Sequence, residues 1–363
     1  MVASPEIPID AASVHLVSVP LRRAYRFAGG TLEQRTLVLV RLCSGEIEGW
    51  GEASPVPGYS QESAAEVFSV LAEAIGGPPS PGFGAAPLPP GAPASARHAL
   101  ETAFWDLSAR IAGTPLASLL GGTPRHLPVT AVVGLGTGDD GVAAARAALE
   151  AGHARVKVKL DGPRDLPRLA AIADALPAGR LAADANGSLP ADMAGILAER
   201  LSGMGLAYLE QPFRPGNLTA SAVLNEAVPV CLDEEVTGPD DTRRALGAGA
   251  ASLVSVKPGR LGGLAAALEV LGAARSAGAG VLVGGLLESG IGRAASRALA
   301  AAAGSGEPSE LAPSLGYLEH DLVTVPAVLE PGRGVAVPRA PGWGGTVDVD
   351  AVARCTLRRV DAG

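Results

Sequence analysis

The sequence predicts an α/β protein in which a parallel (β/α) barrel follows a smaller N-terminal α+β part. Three observations carry this. From Pro128 onward, short apolar strands alternate with Ala/Leu-rich helices at a period of about 25 residues, the signal of βα units on a parallel sheet. The last positions of successive strands are charged, as the mouth of a working barrel requires. Before Pro128 the pattern is different, with apolar and polar residues alternating between Gly/Ser breaks. A chain of 363 residues is long enough for both parts.

Within residues 12–50, the stretches SVHLVSVP and TLVLVRLCSGEIEGWGE alternate as an antiparallel meander does. Helical spacing follows over 61–75 and 94–111. In the second helix Ala99, Ala103, Leu107 and Ile111 recur on one face, and Gly113 and Pro115 close it. Between these helices, GGPPSPGFGAAPLPPGAP (76–93) has too much Pro and Gly for either helix or strand and is expected to be a surface loop. The expected barrel strands are 129–133, 154–160, 180–184, 206–210, 229–233, 252–257, 280–283 and a weak one near 310–312. The tail, 321–363, is Val-rich and extended in VTVPAVLE, GVAVP and TVDVD, and is expected to pair back onto the N-terminal part. The expected division is therefore 1–125, 126–320 and 321–363.

A net charge of −8 argues against nucleic acid or an anionic membrane as partner, since both need a basic footprint, and leaves a small molecule. Cys43, Cys231 and Cys355 are odd in number and far apart, so neither a disulfide framework nor a zinc ribbon is supported. With no basic-then-apolar leader in MVASPEIPIDAA and no uncharged apolar run of roughly 18 residues, the expectation is a soluble cytoplasmic protein. A homo-oligomer is compatible with all of this.

The strand ends hold Lys157-x-Lys159, Asp184, Glu210, Asp233 and Lys257. Residues two apart on a strand share a face, so Lys157 and Lys159 point into the barrel together, where desolvation and mutual repulsion are expected to lower the pKa of one of them and make it a base. Carboxylates from three adjacent strands suit Mg²⁺, with Mn²⁺ as a substitute, and Lys257 is expected across the metal from the pair. Base, metal and second lysine together suit removal of a proton α to a carboxylate. A structural salt bridge would explain any one of these residues but not five consecutive charged strand ends. Asn186, two residues beyond Asp184, is placed to orient the metal's surroundings. Glu234 points away if its strand continues and inward if the loop turns.

Other motifs are weaker. Gly136-x-Gly138-x-x-Gly141 has the form of a dinucleotide fingerprint, but Asp139 and Asp140 would repel a pyrophosphate, and an ordinary βα turn is expected. Ser289, Gly290 and Ile291 open the helix after the seventh strand, where barrels often bind phosphate. The five histidines form no metal-binding pattern. Trp105 and Asp106 are expected to pack and cap between domains, and Glu52 to have a structural role or to reach the site.

The motifs KVK (157–159 with their neighbour), DAN (184–186), EQP (210–212), CLDEE (231–235) and KPGRLGG (257–263) resemble the ligand and lysine motifs of the enolase superfamily in its muconate-lactonising subgroup. GWGEASP (49–55), ALETAFWDLSARIAGTPLASLLGG (99–122), GGLLESGIGRAASRALA (284–300) and LAPSLGYLEHDL (311–322) are similar to the o-succinylbenzoate synthase and N-acylamino acid racemase branch. The likeness covers nearly the whole chain. It implies a modified TIM barrel, (β/α)₇β, beneath an α+β capping domain. It implies Asp184, Glu210 and Asp233 as Mg²⁺ ligands, Lys159 as acid/base, Lys157 as its tuning neighbour and Lys257 as the cation on the other face. Ser289, Gly290 and Ile291 would contact the acyl end of the substrate. The implied activity is loss of water from 2-succinyl-6-hydroxy-2,4-cyclohexadiene-1-carboxylate through an enediolate, a step of menaquinone biosynthesis. N-succinylamino acid racemisation, alone or in addition, is the first alternative; another cycloisomerase or a dipeptide epimerase is next. The run Thr130-Ala131-Val132-Val133-Gly134 lacks the hydroxyl that branch often carries at the end of its first barrel strand, and Leu286 stands where Met is usual. Loops 22–31 and 55–60 are expected to close over the substrate and set specificity.

Overall fold

The computed structural model describes residues 7–27, 30–76, 88–134, 140–304 and 306–363. Gly136 and Gly138 of the fingerprint, and residues 77–87 of the Pro/Gly-rich stretch, lie outside the described residues.

The N-terminal meander is β1 (Ala11–Phe27), β2 (Gly30–Ser44) and β3 (Ile47–Ala53), paired antiparallel in that order. Both its faces are buried. Val14, Leu16, Val38, Val40 and Leu42 pack on helices α1 (Ala64–Ile75) and α2 (Ala94–Ile111), whereas Val17, Val19, Leu37 and Leu39 join the barrel core. The period-two alternation thus ties the sheet to two partners at once. Helix α1 starts at Ala64, not Gln61, because Ser63 and Glu66 form a reciprocal capping box. β3 lies against α2 so closely that a Cβ at Gly51 would run into the carbonyl oxygen of Ala99. The stretch read as a loop from residue 22 is in fact strand: β1 runs on to Phe27 across a register shift between Pro20 and Tyr25, since Tyr25 and its neighbours pair with the start of β2.

After α3 (Leu116–Leu119) and β4 (His126–Leu127) come seven parallel strands in sequential order: β5 (Thr130–Val133), β6 (Arg155–Lys159), β7 (Leu181–Asp184), β8 (Leu209–Glu210), β9 (Val230–Leu232), β10 (Leu253–Val256) and β11 (Gly280–Val283). Helices α4 (Asp140–Glu150), α5 (Leu166–Ala175), α6 (Ala194–Leu201), α7 (Leu218–Asn225), α8 (Pro239–Gly247), α9 (Pro258–Leu261), α10 (Leu264–Ser276) and α11 (Gly290–Ala303) follow them in turn. The eighth strand expected near 310–312 is reduced to a bridge at Ser309, because Pro308 and Pro313 deny it donors on both sides. That bridge still joins the sheet's edges: Thr130 N donates to Ser309 O (2.8 Å) and Glu310 N to Val283 O (3.0 Å).

The tail is divided. β12 (Leu329–Glu330) pairs with β13 (Gly334–Ala336), and β13 with β4, not with the N-terminal sheet. The TVDVD run is not a strand either, since the side chain of Asp348 caps α12 (Val349–Cys355) by accepting from Ala351 N. Only β14 (Thr356–Ala362) returns to β1, antiparallel. Asp106 joins the parts, accepting from Trp50 N, Arg110 Nε and Trp343 N. Among the described residues no helix is long and apolar enough to cross a membrane.

Candidate active site

Register fixes where the charges stand. Lys159 is the sheet partner of Asp184, and Asp184 of Glu210, so these side chains rise from neighbouring positions on β6, β7 and β8. Asp233 follows the end of β9 and Lys257 the end of β10. The two lysines of β6 share a face but differ in depth: Lys157 is 1% exposed and Lys159 25%. Lys157 Nζ donates to Glu210 Oε2 (2.8 Å), lies 3.2 Å from Asp184 Oδ2 and pairs with Glu310. Lys159 Nζ donates to Asp184 Oδ2 (2.5 Å) and Asn186 Oδ1 (2.9 Å). On the opposite side, Lys257 Nζ donates to Asp233 Oδ2 (2.5 Å) and Tyr59 Oη (3.1 Å). Arg260 Nη1 reaches Asp233 Oδ1 and Tyr59 Oη, each at 2.6 Å.

The expected fall in a lysine pKa is not found. Burial is the largest single influence on Lys157 and Lys159 and lowers both, but Glu210, Glu310 and Asp184 together outweigh it at Lys157, as Asp184 with Tyr25 does at Lys159, and both are raised. Spacing along the chain shows the ammonium pair, whereas the acids beside it come within reach only in the folded barrel. Burial pushes Asp184 up, yet Lys159 and Lys157 hold it down at about 2. Arg260 and Lys257 hold Asp233 low against the same burial. Glu210 goes the other way, raised well above the ordinary range by burial and by Glu310.

Nor do the three carboxylates meet at one point; among the described residues no three such groups are gathered for an ion, because cationic side chains lie on their oxygens. The donor set nevertheless fits a divalent cation. Glu210 Oε1 and Glu234 Oε2 are buried acceptors without a hydrogen-bond partner, and Asp184 and Asp233 are held ionised beside them. The loop after Asp233 does turn Glu234 inward, where its Oε1 accepts from Asn186 Nδ2 (2.9 Å). Asn186 N also donates to Asp184 Oδ1 (3.0 Å), which fixes that carboxylate from its own chain. Asn186 (φ 41°), Gln211 (φ 34°) and Leu287 (φ 58°), the non-glycine residues of positive φ among those described, all stand in loops that follow strand ends. Gln211 Oε1 accepts from Asp233 N, which ties the loops after β8 and β9 together.

A cavity of about 280 Å³ opens over these groups, with Lys159 and Lys257 in its wall. Tyr25, Val56 and Tyr59 come to it from the N-terminal domain, and Gly285 to Leu287 from the loop after β11. Ser289, Gly290 and Ile291 are not part of its lining. They are buried at the start of α11, where Glu52 of β3 accepts from Ser289 N (2.9 Å), Ser289 Oγ and Gly292 N (3.1 Å). Glu52 caps α11 and does not reach the pocket, since the alternation of β3 turns it to the barrel side. Arg35, 1% exposed, ties the walls: its Nη2 donates to Ser54 O, Pro55 O and Leu286 O. The histidines have local partners elsewhere, as with His98 and Thr102 or His126 and Glu330.

Three residues escaped the sequence reading. Glu310 ends the weak eighth strand and obeys the same charged-strand-end rule. Arg260 lies inside KPGRLGG, one turn after Lys257. Tyr59 lies in the 55–60 loop with no pattern to mark it.

Residues 140–352 match the family described as "Enolase C-terminal domain-like", and residues 11–121 the "Mandelate racemase / muconate lactonizing enzyme, N-terminal domain". An N-succinylamino acid racemase of Thermus thermophilus is 34% identical, covering 96% of this chain and 97% of its own. An o-succinylbenzoate synthase of Geobacillus kaustophilus is 33% identical over 96% of each chain. Among solved structures, the muconate lactonizing enzyme from Pseudomonas fluorescens superposes with a TM-score of 0.86 at 27% identity, over 97% of this chain and 100% of that one.

Proposed function

The chain belongs to the mandelate racemase / muconate lactonizing enzyme family of the enolase superfamily, in the branch of o-succinylbenzoate synthases and N-succinylamino acid racemases, and from that premise we propose that it is an o-succinylbenzoate synthase. The substrate is 2-succinyl-6-hydroxy-2,4-cyclohexadiene-1-carboxylate, and the reaction is its loss of water in menaquinone biosynthesis. The observation that carries this reading is the asymmetry of the two pocket lysines. The Lys159 side chain is 25% exposed, whereas that of Lys257 is 7% exposed and pinned by Asp233 and Tyr59.

Enzymes of the superfamily generally depend on a divalent metal, and Asp184, Glu210 and Asp233 would hold it, as Mg²⁺ by the hardness of an all-oxygen set. That ion supplies positive charge for the substrate carboxylate and for the negative charge that grows on it in the transition state. With Asp184 engaged by the cation, Lys159 would lose the contact that raises its pKa, and its Nζ, as the neutral amine, takes the proton from the carbon α to the carboxylate. The same ammonium then returns a proton to the hydroxyl on the adjacent carbon, the electron pair left by the α proton forms the new ring C=C bond, the C–O bond breaks, and water leaves with both electrons of that bond. Proton removal and departure therefore occur on one face, syn, and Lys159 ends neutral. Lys257 stays charged on the other side and stabilises the developing anion through its fixed position. Lys157 keeps Glu210 and Asp184 in place beneath.

The racemase reading is supported by the Thermus thermophilus relative and by the presence of a lysine on each side of the pocket. It requires Lys257 to exchange a proton as readily as Lys159. Two assays on the purified protein with Mg²⁺ separate the readings: ultraviolet detection of dehydration, and polarimetry with N-succinyl amino acids. Fast dehydration supports the synthase, with racemisation as a side activity if it occurs. Racemisation without dehydration makes the second reading correct.

A further inference from the structure

On the outer side of α11, the chain closes a second cavity of about 350 Å³. One face of the helix forms its floor through Gly290, Ala294 and Arg297, spaced as neighbours along a helix surface. Tail residues from Val323 to Val328 and from Trp343 to Thr346 form its walls. Arg297 is 4% exposed, its Nε has no hydrogen-bond partner, and among the described residues no carboxylate pairs with its guanidinium. Asp321 and Glu288 act on it only at a distance. The oxygens of Asp321 already accept from Gly290 N, Leu322 N and Ser314 Oγ, and Glu288 pairs with Arg293. Burial, reinforced by Arg293, brings the guanidinium down to about 10. Trp343 lines the same cavity at 3% exposure. A buried guanidinium on a cavity wall with no carboxylate partner is unusual, because buried charges are almost always paired.

We propose that this cavity binds a small organic monocarboxylate, its carboxylate taken by the guanidinium of Arg297 and its apolar body laid along the tail. A guanidinium matches a carboxylate through paired N–H groups. The walls supply apolar surface that the fold leaves uncovered: Val325 is 83% exposed and Val328 66%. Glu330 also lines the cavity, and a dianion such as phosphate would meet its charge, which His126 and Arg333 hold in the ionised form.

The test is isothermal titration of the full chain with benzoate as probe, repeated for Arg297→Met, Arg297→Lys and Lys159→Ala, with inorganic phosphate as the comparison ion. Benzoate binds the parent and Lys159→Ala alike, loses at least about tenfold in Arg297→Met, is partly restored in Arg297→Lys, and binds tighter than phosphate. Thermal unfolding without benzoate adds an independent reading: Arg297→Met is as stable as the parent or more so, because a buried charge without a partner is removed. Failure of benzoate to bind, equal affinity in Arg297→Met, loss in Lys159→Ala alone, tighter binding of phosphate, or early unfolding or misfolding of Arg297→Met would each overturn the proposal.

Discussion

At the residue scale, function rests on how closely cations and carboxylates are matched around the pocket. Tyr59 shows this most clearly, since one hydroxyl donates to Asp233 Oδ2 (2.9 Å) and accepts from Lys257 and Arg260. Tyr59→Phe keeps the ring but takes one acceptor from each cation, leaving both on Asp233, so kcat/KM should fall about tenfold while the thermal midpoint holds, as steady-state kinetics and calorimetry would show. His98 is a second case. Its ring is buried, and burial brings its pKa from 6.5 to about 4. Between those values the unfolded chain holds the proton and the folded chain does not, so stability falls as pH drops from 6.5 to 4 and levels off below. The loss is about 3 kcal/mol from this group, and His98→Gln should flatten that window in urea titrations taken at a series of pH values. Reading strand ends located Lys157, Lys159, Asp184, Glu210, Asp233 and Lys257 from sequence. It missed Glu310 because the prolines flanking the eighth strand hide the strand itself, and it missed the lysine pKa because burial beside acids depends on distances that no spacing encodes.

At the element scale, the junctions between domains fix the pocket. β3 supplies two of them. Its Gly51 lets the strand lie on the backbone of α2, and Gly51→Ala should cost about 3 kcal/mol or more, measured by chemical denaturation, since neither backbone has room to yield. Its Glu52 caps α11 across the domain boundary, at the helix whose preceding loop lines the pocket. Glu52→Ala leaves Ser289 N and Gly292 N buried without an acceptor, so stability should drop about 2 kcal/mol or more and KM should rise as the loop loosens. The alternation of β1 and β2 and the helical period of α2 were legible because each has one clear partner. The tail was not: a Val-rich extended pattern does not say which edge it pairs with, and Asp348, a helix cap, stands in the middle of an apparent strand.

At the scale of the whole molecule, a barrel supplies charged groups from strand ends, and a second domain closes over them with Tyr25, Val56 and Tyr59. The barrel half is legible in sequence because its period repeats; the closure is not, because it depends on loops whose residues touch only in the folded chain. Since the carboxylates are matched by lysines and Arg260 as they stand, removal of metal by EDTA should abolish turnover while leaving the thermal midpoint within a few degrees, a separation visible in one calorimetric and one kinetic run. The role of Lys159 as proton carrier is tested by the ultraviolet dehydration assay with Mg²⁺ on Lys159→Ala beside the parent protein, with circular dichroism to check the fold. A loss of roughly a thousandfold or more in kcat with the fold intact is expected; a folded Lys159→Ala that retains most of the parent's rate would overturn that role.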